Sequence, residues 1–90
     1  MDQQSLHKGE RYLNSIKEMY PLPVNSTIRK IVFREIPDYH DDFIYFVELV
    51  GENGNTLWTY EQHGEYGIIR PLAEYLSFCY SCPITEEYDF

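Results

Sequence analysis

Apolar positions alternate with polar ones in two different rhythms along this chain, and the rhythms divide it into five elements. Between residues 5 and 20, Leu6, Leu13 and Tyr20 recur every seven positions, with Ile16 between them at helical spacing. Tyr12 and Met19 widen that stripe, Ser5 is a candidate N-cap, and Pro21 and Pro23 stop the helix. Gly9 sits inside it at a cost of about 1 kcal/mol relative to alanine, so the first turns are expected to fray.

From Thr27 the rhythm changes. Thr27 to Ile36 is β-rich but does not alternate cleanly, which predicts either burial on both faces or a bulge near Ile31. Pro37 to Asp42 is a turn by its Pro and Asp content. Phe43 to Val50, apolar except at Glu48, reads as the central strand. The Asn53-Gly54 pair within 51–55 favours a tight hairpin turn. Thr56 to Gln62 then alternates, with Thr56, Trp58 and Tyr60 on one face and Leu57, Thr59 and Glu61 on the other. Ile69, Leu72, Ala73, Leu76, Cys79 and Tyr80 mark a second helix, with Pro71 expected in its first turn and Pro83 beyond its end. The order α-β-β-β-α predicts an α+β domain over residues 1–83: a three-stranded antiparallel sheet with two helices packed on one face. The opposite face is expected to be open and to carry several aromatics. Residues 84–90 read as a mobile acidic tail.

Charge changes the picture more than composition does. Up to Arg34 the chain carries three acidic and six basic residues; from Glu35 onward it carries twelve acidic residues against Arg70 alone, for a net charge of −8. Such asymmetry bears on solubility, association rate and choice of partner rather than on fold. It points to a larger basic protein as partner and disfavours direct contact with nucleic acid or an anionic membrane. No apolar run approaches the roughly 20 residues of a membrane span, and the N-terminal stretch lacks a signal-like apolar core. The expectation is a soluble, cytoplasmic protein.

The candidate interface follows from these charges. Asp38, Asp41 and Asp42 share one turn, Glu52 lies in the hairpin, and Glu61 and Glu65 close the third strand; Tyr39 and Tyr60 would add rigid contact area. Carboxylates on alternate strand positions stand about 6.6 Å apart, a spacing that a phosphate-binding groove accepts. The alternative is a solvated surface that serves solubility alone. Catalytic signatures are missing: there is no glycine-rich phosphate loop and no nucleophile elbow. Cys79-Tyr80-Ser81-Cys82 is a CxxC, but at a helix C-terminus, where the dipole does not favour a thiolate. Neither it nor the Asp38–Asp42 turn matches a metal motif, so no cofactor or metal is implied.

The α-β-β-β-α order resembles that of the double-stranded-RNA-binding domain. Members of that family carry a basic second helix, whereas this one has Arg70 with Glu74. In length, acidity, single α/β domain and lack of catalytic signature, the chain resembles the small acidic proteins with which phages disable bacterial defences, the anti-CRISPR and DNA-mimic inhibitors. The resemblance implies stoichiometric, non-enzymatic inhibition of a nuclease or effector complex in the bacterial cytoplasm. Three other readings share the sequence: an immunity or antitoxin module that neutralises a basic toxin, a small CxxC metal or thiol protein, and a self-associating subunit pairing through an edge strand.

Overall fold

The computed structural model of the protein describes residues 3–38 and 42–88, so the expected contributions of Tyr39 and Asp41 lie outside the described residues. Helix α1 (Gln3–Ile16) is followed by strands β1 (Ile28–Pro37), β2 (Phe43–Gly51) and β3 (Thr56–His63), helix α2 (Tyr66–Tyr80) and strand β4 (Ile84–Tyr88). The sheet has four strands in the order β3-β2-β1-β4. β1 and β3 are antiparallel to β2, and β4 runs parallel to β1.

The sheet therefore departs from the expected three-stranded antiparallel meander. Residues 84–88 are not a free tail but an edge strand, with Ile31 paired to Ile84 and Glu35 to Tyr88. The sequence Ile-Thr-Glu-Glu-Tyr has no apolar alternation to announce a strand. What places it is long-range: the β1 ladder, an Arg34–Glu87 ion pair at 3.0 Å and an Arg70–Glu86 ion pair at 2.7 Å.

One face of the sheet is covered. Ile31 and Phe33 from β1, Tyr45, Val47 and Leu49 from β2, and Trp58 and Tyr60 from β3 all point toward the helices and are buried there. Ile69, Leu72, Ala73 and Leu76 of α2 and Leu13 and Ile16 of α1 close the core from the other side. The large aromatics thus fill the covered face, contrary to the expectation for the open one, where Phe46 lies beside Val32, Val50 and an Arg34–Glu48 ion pair of 3.2 Å.

The helices differ from expectation at informative points. α1 ends at Ile16 rather than Tyr20 because Tyr20 has other work. Its carbonyl accepts the Trp58 indole N–H at 3.0 Å, and its ring meets the edge of Tyr60 at 4.9 Å. Gly9 is buried where α1 crosses α2; a Cβ there would overlap the Pro71 carbonyl oxygen and stand 2.6 Å from Tyr75 Cβ. Close helix approach, rather than fraying, explains the glycine. Pro71 lies inside α2, not in its first turn. Its missing N–H would have bonded the carbonyl of Gly67, which is exposed and can be met by water. The irregularity in β1 falls between Ile28 and Lys30 rather than at Ile31.

Candidate functional site

The register of the sheet gathers much of the chain's negative charge at one end. β1 runs into β2 there, with Pro37 opposite Phe43. Asp38 N–H donates to the Asp42 carbonyl at 2.8 Å and closes the connecting turn, while the Phe43 N–H donates to Asp42 Oδ1 at 2.8 Å. β3 ends beside it, with His63 opposite Ile44 and Glu61 opposite Phe46. His63 Nδ1 stands 3.5 Å from Asp38 Oδ2. Glu65 follows as the N-cap residue of α2, its side chain making no capping bond. On the other flank, Tyr88 of β4 lies beside Glu35.

Asp38, Asp42, Glu61 and Glu65 of the expected set are therefore brought together. Glu52 is not: it sits in the 51–55 hairpin at the far end of β2, about 27 Å away along an extended strand. Tyr60 is not an interface residue either, being only 5 % exposed. Its ring stacks near Trp58 and its hydroxyl meets that of Tyr12 at 2.6 Å. Strand alternation placed Tyr60 with Trp58; nothing local said that this face was the covered one.

Four further residues lie at or beside this end. Glu35 and Glu86 add carboxylates, and Tyr66 and Tyr88 remain 46 % and 45 % exposed. Tyr66 sits edge-on to Phe33 and Tyr45 at about 6 Å, so its ring is held while its other side faces outward. The Tyr45 phenol is pushed up to about 12 by burial first and then by Glu35. The Tyr88 phenol is pushed up to about 12, chiefly because it donates to Glu86 at 2.6 Å. Glu86 is held below the usual carboxylate range by that same bond and then by Arg70. Both phenols thus stay neutral hydrogen-bond donors at physiological pH.

Cations at this end are already engaged. Arg70 reaches Glu86 and Glu74, and its guanidinium lies 5.1 Å above the Phe33 ring. Arg34 contacts Glu48 and Glu87 across the open face. The surface beyond them is therefore dominated by carboxylate, with the exposed rings of Tyr66 and Tyr88 embedded in it.

Other places where chemistry could reside are less organised. A groove of about 670 Å³ between α1 and the start of α2 is walled by Lys8, Arg11 and Tyr12 on one side and by Glu65 and Ile68 on the other. Its Ser15 hydroxyl is bonded to the Tyr12 carbonyl, so it is not poised as a nucleophile. Among the described residues no cluster of three His, Cys, Asp or Glu side chains is arranged to hold a metal. Cys79 and Cys82 are both free thiols, and burial pushes Cys82 up, away from thiolate character. No described helix is long and apolar enough to cross a membrane. Comparison with known protein families, with characterised proteins and with solved structures finds no match to this chain.

Proposed function

We propose that the protein is a non-catalytic, stoichiometric inhibitor that docks its acidic end on a basic, nucleic-acid-binding surface of a larger protein, such as a nuclease or an antiviral effector. The reading rests on one observation: Glu35, Asp38, Asp42, Glu61 and Glu65 lie toward one end of the domain, supplied by β1, the segment between β1 and β2, β3 and the N-cap of α2. Folding gains little from such convergence, because like charges brought together repel. A phosphate-binding groove gains from it, since such grooves bind mainly through backbone charge. Tyr66 and Tyr88 supply flat, amphipathic area at low entropic cost, the kind of anchor that dominates interfaces. This is the mode of action of the small acidic phage inhibitors that the chain resembles in size and charge.

The test is a charge reversal at exposed positions. Asp42→Lys with Glu65→Lys should weaken capture of basic nucleic-acid-binding proteins at least tenfold, about 1.4 kcal/mol. Added salt should weaken the wild-type complex in the same direction, by slowing association. Glu52→Lys, at the far end, should leave binding unchanged. Equal binding by all three proteins would remove the acidic end from any interface.

A further inference from the structure

The sheet has two edges, and they are built differently. β4 is a short edge of five residues that carries Glu86 and Glu87, the kind of charged, abbreviated strand that discourages edge-to-edge pairing. β3 is eight residues long, Thr-Leu-Trp-Thr-Tyr-Glu-Gln-His, with no Pro or Lys and Glu61 as its one carboxylate. A register shift between Leu49 and Val50 leaves Leu57 as an extra residue near its start.

The phase of the ladder tells which backbone groups face outward. Gly64 N–H donates to the Phe43 carbonyl at 3.2 Å. Paired residues in an antiparallel ladder alternate between hydrogen-bonded and non-hydrogen-bonded. His63, Glu61 and Thr59, opposite Ile44, Phe46 and Glu48, are therefore the non-bonded positions, and their N–H and C=O groups point away from β2. Among the described residues those groups meet no other part of the chain. Their side chains lie on the open face, so nothing from α1 or α2 stands over them.

We infer that β3 is a self-association edge, on which β3 of a second copy pairs antiparallel about a two-fold axis at Thr59. A second copy presents the same unguarded row of outward donors and acceptors, and the position of Glu61 selects the register. With Thr59 opposite Thr59, Glu61 faces Leu57 of the other copy, and threonine pairs are among the favourable cross-strand partners. The two Glu61 side chains then stand about 13 Å apart along the strands, beyond the screening length at physiological salt. Centring on Glu61 instead would set carboxylate against carboxylate. The result is an eight-stranded sheet whose two acidic ends point in opposite directions, both accessible. This inference is independent of the docking role of the acidic end.

Light scattering across micromolar to millimolar protein should show growth from 10.8 kDa to twice that mass. Because each copy carries −8, added salt should tighten the dimer, the opposite of its effect on capture by a basic partner. Amide exchange should slow with concentration at Thr59 and Glu61, with no change at Ile84 or Glu86, whose N–H groups face away from β1 at the other edge. Thr59→Lys sets two cations on the axis and should raise the dimer dissociation constant at least tenfold, while the exposed position leaves monomer melting unchanged. A monomeric mass up to millimolar concentration overturns the inference. So does a dimer indifferent to Thr59→Lys, protection that arises at β4 instead, or protection of β3 that arises only when a basic target protein is added.

Discussion

Replacing Gly9 by alanine should destabilise this protein, although the substitution favours an isolated helix. The gain is small: alanine exceeds glycine in helix propensity by about 1 kcal/mol. The obstruction is larger. A Cβ on residue 9 would overlap the Pro71 carbonyl oxygen and lie 2.6 Å from Tyr75 Cβ and 2.8 Å from the Pro71 carbonyl carbon. Comfortable carbon–carbon contact is about 3.5–4.0 Å, so α1 would have to retreat by roughly 1 Å from α2. The obstacles are backbone and a Cβ, which cannot swing aside as the end of a long side chain could. Overpacking of this kind costs about 1–3 kcal/mol and occasionally more. Retreat of α1 would also loosen the Tyr75–Glu10 hydrogen bond across the same interface and the Tyr12–Tyr60 hydroxyl contact that ties α1 to β3. We expect a net loss of about 2 kcal/mol, from a total that for a domain of this size is about 5–10 kcal/mol. In a thermal melt followed by circular dichroism the midpoint should fall by about 8–16 °C. Gly67→Ala is the internal control. It lies in the first turn of α2 with nothing within 4 Å of its Cβ position, so it should be neutral or stabilising by up to about 1 kcal/mol. If Gly9→Ala melts at or above the wild-type temperature, the close crossing of α1 and α2 is wrong.

Arg70→Met removes both carboxylate contacts together with the guanidinium over Phe33. Discounted for the partial exposure of Glu86, the loss should be about 1–2 kcal/mol, with amide protection at 84–88 falling more than at β1. Glu86 also makes the β4 attachment acid-sensitive. Its carboxyl is held low, first by Tyr88 and then by Arg70, so its contribution is complete above the ordinary carboxylate range and is lost as pH falls through the lowered value. Glu86→Gln should therefore flatten the fall in melting temperature on acidification, and an unchanged slope would assign that fall to other groups. Tyr12→Phe removes the 2.6 Å hydroxyl partner of Tyr60, whose next contact is Gln62 at 3.4 Å; urea denaturation should register a loss of about 1 kcal/mol. The Tyr12 phenol is raised well above its ordinary range by burial and then by Tyr60, so alkali should ionise it later than exposed tyrosines in an absorbance titration.

Local pattern alone determined most of the elements of this protein. Heptad and 3–4 spacing placed both helices, and apolar runs with the Asn53-Gly54 turn joined β2 and β3 as a hairpin. These are short-range signals, written in the order of side chains along a few turns or one strand. Tertiary structure decided the rest. Whether the Trp58–Tyr60 face was covered or open depended on where α1 and α2 settled, and that turned Tyr60 from a surface residue into a core one. The fourth strand depended on Arg34 and Arg70 meeting Glu87 and Glu86 across long stretches of chain, so a segment without strand pattern became an edge. Gly9 read as a weak point in a helix until α2 lay against it. The acidic end itself exists only because the pairing of β1, β2 and β3 brings together carboxylates that are far apart in sequence, and separates Glu52 from them. Charge can be counted along a chain, but its density on a surface is a property of how the chain is folded.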